Sequence, residues 1–185
     1  MKILIQRVKQ ASVEVISDYP VGDMTPCPAT VEELSPAPFS GSDNRNEVSS
    51  AKPISDCQIV GKIDQGLLVF LGVHENDTKE NIDYLVRKLL SLRIFEHANQ
   101  KMNLSVQDIK GSILVVSQFT LYADCKRGNR PDFIQAAKPD KANALYSSFV
   151  EKLRLSGVTI ETGVFGANMQ VNIINDGPVT FMIET

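Results

Sequence analysis

The sequence predicts an α/β fold, in which two helices cover a largely mixed β-sheet. Several apolar runs have the length and composition of strands, and two longer segments repeat apolar residues at helical spacing. Strands interspersed with only two helices favour an α/β or α+β arrangement. A chain of 185 residues is long enough for one domain with a substantial core and too short for two full ones.

In the N-terminal half, apolar or alternating runs predict a first strand over 2–9 and 11–16, with a bend near residues 10–11, and further strands at 58–63 and 67–73. The last of these runs is apolar without interruption, which is typical of a strand buried on both faces. Asp77 and Glu80 have the spacing of a capping box and precede apolar residues at helical spacing. A first helix is therefore expected over about residues 78–92.

The C-terminal half begins with the apolar run 112–116, which turns abruptly polar while remaining rich in strand formers. A buried strand has this pattern where it surfaces at a pocket. Pro139 opens a second helix with an apolar stripe that includes Leu145 and Phe149, and Gly157 closes it. Further strands are expected at about 158–162, 169–174 and 179–183.

Residues 17–57 interrupt this pattern with an acidic segment rich in proline and serine. It holds six of the nine prolines and seven serines, with no helical or strand period. Seven acids against two basic residues give it a net charge of -5, which leaves +2 for the rest of a chain whose total is -3. We therefore expect one domain, 1–185, carrying a loop-like insertion at about 17–57.

Composition favours a cytoplasmic protein without a metal site. No apolar run approaches the roughly 18 residues of a membrane span, and the N-terminus becomes charged too early for a signal peptide. Cys27, Cys57 and Cys125 lack the spacing of a zinc site, so free thiols are expected. The small charge of the remainder excludes a broad basic surface for nucleic acid, and any RNA contact would be local.

The polar end of the 112–116 strand is the first candidate for chemistry. Ser117-Gln118-Phe119-Thr120 offers two hydroxyls, an amide and an aromatic ring. Thr120 could act as a nucleophile, or the N–H groups of Phe119 and Thr120 could stabilise an oxyanion. Ser and Thr also satisfy backbone groups at strand ends, and no histidine is an obvious base. Residue types alone leave these alternatives open.

A second candidate is Asn175-Asp176-Gly177-Pro178, between two apolar runs. These residue types are favoured in an ordinary tight turn between strands. A cis Gly177–Pro178 bond would instead make a rigid pair of main-chain acceptors, although cis is the minority state. The basic loop of Lys126, Arg127 and Arg130 could hold phosphates or be a solvated loop. His74 and His97 lack the spacing of a metal site or catalytic triad, and neither is assigned a role.

Taken together, these motifs resemble the D-aminoacyl-tRNA deacylase (D-tyrosyl-tRNA(Tyr) deacylase) family. The resemblance covers MKILIQRVKQASVEV at the N-terminus and nearly all of 61–185. Within that region it rests on GLLVFLGV, LRIF, KMNLSV, SQFTLYAD, GNRPDF, FGANMQV and NDGPVT. SQFTL and NDGPVT in this order, about 55 residues apart, are highly specific, whereas either alone would be weak.

The resemblance implies a mixed, barrel-like sheet with two main helices and no cofactor. It implies a cytoplasmic homodimer that hydrolyses the ester between a D-amino acid and the 3′-terminal adenosine of tRNA, and that in bacteria also clears mischarged glycine. The catalytic residues it implies are Ser117, Gln118, Phe119 and Thr120. The substrate-binding residues it implies are Gly177, Pro178, Asn175, Phe133, Ala136, Phe165, Met169 and Arg7.

In that family the Gly-Pro of one subunit is cis and enters the active site of the other. Rigid carbonyls would then leave no volume for an L side chain, while a D side chain points away. We favour the N–H groups of Phe119 and Thr120 as oxyanion donors, the ribose 2′-hydroxyl helping to activate water, over a covalent Thr120. Arg7 would brace the loop that carries Gly177 and Pro178.

Two other functions remain open at this point. One is a non-catalytic dimeric module that binds nucleic acid or a protein. The other is an esterase or amidase for small D-amino acid derivatives, which would share the chiral pocket without tRNA. The family's usual connection at 17–57 is a short turn, and an acidic segment would repel phosphate. We therefore expect this insertion to be dispensable for catalysis.

Overall fold

A computed structural model describes residues 1–16, 58–96, 102–126 and 128–185 of the chain. Its strands are β1 (Lys2–Val15), β2 (Gln58–Ile63), β3 (Gly66–Gly72), β4 (Phe95–Glu96), β5 (Met102–Leu104), β6 (Ser112–Ser117), β7 (Thr159–Thr162) and β8 (Met169–Glu184). Its helices are α1 (Lys79–Ser91), the short 3-10 turn (Phe119–Tyr122) and α2 (Pro139–Arg154). Among the helices of these ranges, none is long and apolar enough to cross a membrane.

Strand β1 organises a six-stranded mixed sheet. One edge of β1 pairs antiparallel with β8 along nearly its whole length. The other edge pairs antiparallel with β3 over its first half and with β2 over its second. From β3 the sheet continues in parallel through β6 to β7. The predicted mixed sheet with two helices is confirmed.

The sheet buries apolar side chains on both faces. The larger core lies under α1 and α2 and includes Leu67 and Val69 of β3, whereas the neighbouring Leu68 belongs to a second core on the opposite face. Successive residues of a strand point to opposite faces, so a strand covered on both sides must be apolar throughout. This requirement explains why β3 and β6 could be predicted from their uninterrupted apolar runs.

The sheet curves towards a barrel where β2 approaches β7. A Cβ added to Gly61 of β2 would lie 2.7 Å from the carbonyl oxygen of Thr162 in β7. It would also lie 3.1 Å from Cδ1 of Leu114, in the second core. Glycine therefore permits the close approach that nearly closes the sheet.

The C-terminal strands differ from the prediction. The sequence predicted separate strands at 169–174 and 179–183 with a sharp turn between them, but β8 is continuous. Asn175 pairs with Val8 and Thr180 pairs with Gln6, so residues 176–179 form an extra loop opposite a single residue of β1. The turn prediction was wrong because pairing with β1 resumes on both sides of this irregularity.

The start of α1 also differs from the prediction. The N-cap is Thr78, whose N–H donates to Oδ1 of Asn81 at 2.8 Å, so the pair Asp77 and Glu80 does not form the capping box. Asp77 is instead buried, where it pairs with the Met1 ammonium and accepts the N–H of His74 at 2.6 Å. A carboxylate committed to these two donors is not free to cap the helix.

Predictions about 17–57, Cys27, Cys57 and Arg127 lie outside the described residues, but the ends of the insertion are described. Val15 and Gln58 are direct cross-strand partners at the end of the β1–β2 pair. A short turn could therefore join these two strands without changing their register. Cys125 is an exposed free thiol.

We predict that replacing residues 17–57 with Asn-Gly preserves the fold. The melting temperature should stay within about 4 °C of the parent, because the paired strand ends already lie side by side. The ester hydrolysis implied by the resemblance should stay within about twofold, since an acidic segment is a poor contact for RNA. Thermal unfolding and turnover are measured on the parent, this variant and a control carrying a Gly/Ser linker of the original length. A fall of more than about 10 °C in both variants would contradict the prediction.

Candidate active site

The 3-10 turn follows directly from the end of β6. The N–H of Gln118 donates to the carbonyl oxygen of Leu71 at 2.8 Å, which ties the end of β6 to the end of β3. The chain then leaves the sheet and forms one turn of helix, where the N–H of Ala123 donates to Thr120 O at 3.0 Å. Because β3 and β6 are parallel, their C-terminal ends lie side by side, and the turn is located at that end of the two strands.

Two adjacent N–H groups at the start of this turn are available to a ligand. Within the described part of the chain, the N–H groups of Phe119 and Thr120 have no acceptor, whereas those of Gln118 and Leu121 do. The first N–H groups of any helix lack a partner within it. Phe119 is 56% exposed, so the donors lie at an accessible surface. Paired N–H donors can stabilise a negatively charged oxygen.

The Thr120 hydroxyl is held by its neighbour rather than by a base. The side-chain amide of Gln118 donates to Oγ1 of Thr120. An amide cannot take a proton from a hydroxyl at neutral pH. The structure thus brings Ser117, Gln118, Phe119 and Thr120 together, as the sequence predicted, but supplies no activating partner for Thr120 among the described hydrogen bonds.

The Phe133 side chain lies beside the 3-10 turn and forms an aromatic wall of the candidate site. Its ring packs edge-on against Phe119, with centroids 5.0 Å apart and planes at 62°. The carbonyl of Phe133 accepts the N–H of Ala136 at 3.0 Å, so these two predicted site residues belong to one short loop. Phe133 and Arg130 also line an open cavity of about 390 Å³ with Asp124, Pro131 and Asp132. The cavity has both a cationic group and an aromatic face.

The Gly177–Pro178 segment is exposed, and its peptide bond is cis. It follows Asp176, which is held by the buried side chain of Arg7, itself only 4% exposed. Nε of Arg7 donates to Asp176 O at 3.0 Å and lies 3.1 Å from the Asp176 carboxylate. Arg7 also donates to the carbonyl oxygen of Ile94 at 2.6 Å. Because Nε and Nη1 donate to main-chain oxygens and the Asp176 carboxylate lies beside Nε, the charge can remain buried.

Within one chain the two motifs lie apart. Arg7, opposite the Gly-Pro loop, pairs with Leu67 of β3, whereas the 3-10 turn is tied to Leu71. Four residues along a strand span about 13 Å. No hydrogen bond of the described residues joins Gly177 or Pro178 to the 3-10 turn. Within one chain, the two motifs are therefore separate candidate sites.

The remaining predicted pocket residues are dispersed. Phe165 packs against Tyr146 with ring centroids 5.8 Å apart, at the edge of the larger core. Met169 begins β8 and packs against the second core, on the other face of the sheet. Asn175 is exposed and pairs with Val8. A shared pocket for Phe165, Met169 and Phe133 stays a prediction.

Sequence reasoning missed Gly72, which lies beneath the 3-10 turn. A Cβ there would lie 3.1 Å from both Gln118 O and Leu121 Cβ, and 3.3 Å from the ring of Tyr122. The turn can pack this closely because residue 72 has no side chain. The available signal was a glycine at the end of an otherwise apolar strand, which often marks a close backbone approach. Within the described ranges, no group of three His, Cys, Asp or Glu side chains could hold a metal ion.

Comparisons with known proteins show similarity to one family. A family model for D-Tyr-tRNA(Tyr) deacylase matches residues 46–184. The chain is 56% identical over 138 residues to a D-aminoacyl-tRNA deacylase of Thermotoga petrophila, and 53% identical over 138 residues to one of Clostridioides difficile. Each match covers 75% of this chain and 93% of the relative.

Two solved structures share the fold over almost the whole chain. One, described as c-Myc DNA Unwinding Element Binding Protein, has a TM-score of 0.74 at 34% identity and covers 100% of this chain and 99% of its own. The other, described as a probable eukaryotic D-amino acid tRNA deacylase, has a TM-score of 0.65 at 18% identity. It covers 98% of this chain and 97% of its own. The second likeness is one of fold alone. On the sequence matches, this chain belongs to the D-aminoacyl-tRNA deacylase family, a family of hydrolases.

Proposed function

We propose that the protein hydrolyses the ester bond between a D-amino acid and the 3′-terminal adenosine of tRNA, releasing the D-amino acid and free tRNA. The observation that carries this proposal is the pair of unoccupied N–H groups on Phe119 and Thr120, beside an aromatic wall. The relatives that bear the name D-aminoacyl-tRNA deacylase support the choice of substrate. Such a reaction belongs in the cytoplasm, where aminoacyl-tRNA is used.

The reaction needs an oxyanion site more than a strong nucleophile. Water attacks the ester carbonyl, its proton passes to solvent or to the ribose, and the carbonyl oxygen becomes negative. The N–H groups of Phe119 and Thr120 donate to that oxygen, and removing one such donor from an enzyme typically costs about 10²–10³ in kcat. The oxyanion then collapses, the ester C–O bond breaks, and the leaving ribose oxygen takes up a proton to become a hydroxyl. The substrate's own 2′-hydroxyl helps to orient the water.

Chirality is read by main chain supplied from a partner subunit. We propose a homodimer in which Gly177 and Pro178 of one protomer face the 3-10 turn of the other, since the two motifs lie about 13 Å apart along β3 within one chain. Arg7 fixes this loop through Asp176 O, so the loop cannot retreat to admit an L side chain. Glycine has no side chain to exclude, which extends the activity to mischarged glycyl-tRNA.

A substrate panel tests the function. Purified protein is given D-aminoacyl-tRNA, the matching L-aminoacyl-tRNA and the ethyl ester of the same D-amino acid, and release of the amino acid is followed. We expect rapid hydrolysis of the first and at least about 100-fold slower hydrolysis of the other two. Equal rates on the ethyl ester would identify an esterase for small D-amino acid derivatives. Binding of tRNA without turnover would identify a non-catalytic module.

We predict that Thr120→Val retains turnover within about fivefold, because the backbone N–H remains and the hydroxyl has no base. Single-turnover hydrolysis of D-aminoacyl-tRNA measures the effect. Thr159→Val, at the exposed first residue of strand β7, is the matched control. A loss of more than about a thousandfold with an intact fold would establish Thr120 as the nucleophile instead.

We predict that Gly177→Ala lowers the rate of D-aminoacyl-tRNA hydrolysis by at least about tenfold. It should also reduce the ratio of the rates on D- and L-aminoacyl-tRNA. At Gly177 φ is +129°, and an added Cβ would lie 2.7 Å from Cγ2 of Val179 and 3.4 Å from Nη2 of Arg7. The new methyl group therefore displaces the loop from its brace.

Gly157→Ala provides the matched control for this variant. Gly157 also has a positive φ of +80°, but nothing lies within 4 Å of the added Cβ. Both substitutions strain the backbone by about 1–2 kcal/mol, so both should lower the melting temperature. Only Gly177→Ala should change turnover and stereoselectivity. Equal activity of the two variants would show that the Gly-Pro loop is remote from the substrate.

A further inference from the structure

The 3-10 turn that carries the proposed oxyanion donors is anchored by one buried side chain. Tyr122, the last residue of the turn, is 4% exposed, whereas Phe119 at its start is 56% exposed. The ring of Tyr122 lies between the turn and the end of β3, where Gly72 leaves it room. The position of the turn therefore depends on what holds this ring.

Two side chains hold the Tyr122 ring. The imidazole of His74 lies with its centroid 5.2 Å from the tyrosine centroid, at an interplanar angle of 59°. Nζ of Lys2 lies 4.6 Å from the same ring, and it also forms an ion pair with Glu184 at 3.3 Å. The imidazole is fixed in turn, because its Nδ1 accepts the N–H of Asn76 at 3.0 Å.

His74 also belongs to the other wall of the site. Its backbone forms a bridge with Ala136, and the N–H of Ala137 donates to Val73 O at 2.9 Å. Ala136 donates to the carbonyl of Phe133, whose ring packs against Phe119. The segment around His74 thus contacts the 3-10 turn through a side chain and the Phe133 loop through its backbone.

The tyrosine contributes its ring rather than its hydroxyl. No hydrogen bond to the Tyr122 hydroxyl is present among the described residues. Burial raises the pKa of Tyr122, with smaller contributions from Asp77 and Glu184, so the phenol stays neutral. A phenol in this state supplies neither a base nor a charge to the reaction.

We propose that His74 and Tyr122 are positioning residues, whose ring contact sets the distance between the oxyanion donors of Phe119 and Thr120 and the Phe133 wall. Neither residue touches the reacting atoms. This inference deepens the proposed hydrolysis and rests on it for its kinetic consequence. Its structural consequence, a fixed 3-10 turn, holds for the protein without substrate.

Paired substitutions separate the ring contact from the hydrogen bonds. Tyr122→Phe and His74→Phe keep a ring, while Tyr122→Leu removes it. His74→Asn removes the imidazole but keeps an oxygen that can accept the N–H of Asn76. The control Ile82→Val modestly destabilises the buried face of α1 and leaves both rings in place. All five variants are full-length and are compared at a temperature at which each is folded.

We expect Tyr122→Leu and His74→Asn to lose about tenfold in kcat with KM within about twofold, because a displaced donor weakens only the transition state. The two phenylalanine variants should retain kcat within about twofold. Amide hydrogen exchange at Leu121 and Ala123, whose N–H groups close the turn, should accelerate about tenfold in Tyr122→Leu and His74→Asn and not in Ile82→Val.

Three results would overturn the proposal. The first is unchanged exchange at Leu121 and Ala123 in Tyr122→Leu and His74→Asn, which does not depend on any activity. The second is a tenfold fall of kcat in His74→Phe while His74→Asn keeps its kcat, which would assign the effect to the Asn76 hydrogen bond. The third is a fall of kcat in the control Ile82→Val that equals the fall in Tyr122→Leu and His74→Asn. If the parent hydrolyses no D-aminoacyl-tRNA, the proposed function fails, while the exchange measurement still decides whether the ring contact fixes the turn.

Discussion

The structure depends on a mismatch in length between β1 and β8. The two strands pair over most of their lengths, yet opposite Arg7 strand β8 carries residues 176–179 where a regular ladder would have one residue. The Asp176 carbonyl is partly buried there and needs a partner, since a buried unpaired carbonyl is costly. Arg7 meets this need by donating to Asp176 O, while its charge is balanced by the Asp176 and Glu96 carboxylates.

This arrangement couples the fold to the proposed site. Arg7 is buried whereas its carboxylate partners are partly exposed, so removing the Asp176 carboxylate would leave a buried charge less well compensated. The same guanidinium that stabilises the β1–β8 pair also holds the loop that presents Gly177 and Pro178. The loop can therefore be rigid although it is exposed, because its support lies beneath it in the sheet and the Ile94 carbonyl adds a further anchor.

Most of the fold could be predicted from sequence, because its signals are local. The strands β3 and β6 are apolar on both faces, and each helix begins within about one residue of its predicted start. The continuity of β8 could not be predicted, since Gly177-Pro178 reads locally as a turn and only distant pairing with β1 overrides it. Residue types alone did not decide whether the two candidate motifs were functional or only structural, and the resemblance favoured the functional interpretation of both. The His74–Tyr122 contact is tertiary, so no spacing in the sequence indicates it.

A site whose proposed chemistry is carried by main-chain groups places unusual demands on the surrounding side chains. Backbone N–H donors are present whatever the residue type, so a substitution at Thr120 does not by itself remove them. What a substitution can remove is their position, and position is set by packing. Leu71 O fixes where β6 ends, Gly72 sets how closely the turn approaches the sheet, and the buried Tyr122 ring packs the end of the turn against His74. Since misplacement by about 1 Å can cost two orders of magnitude in rate, the residues that matter most to such a site are those that never meet the substrate.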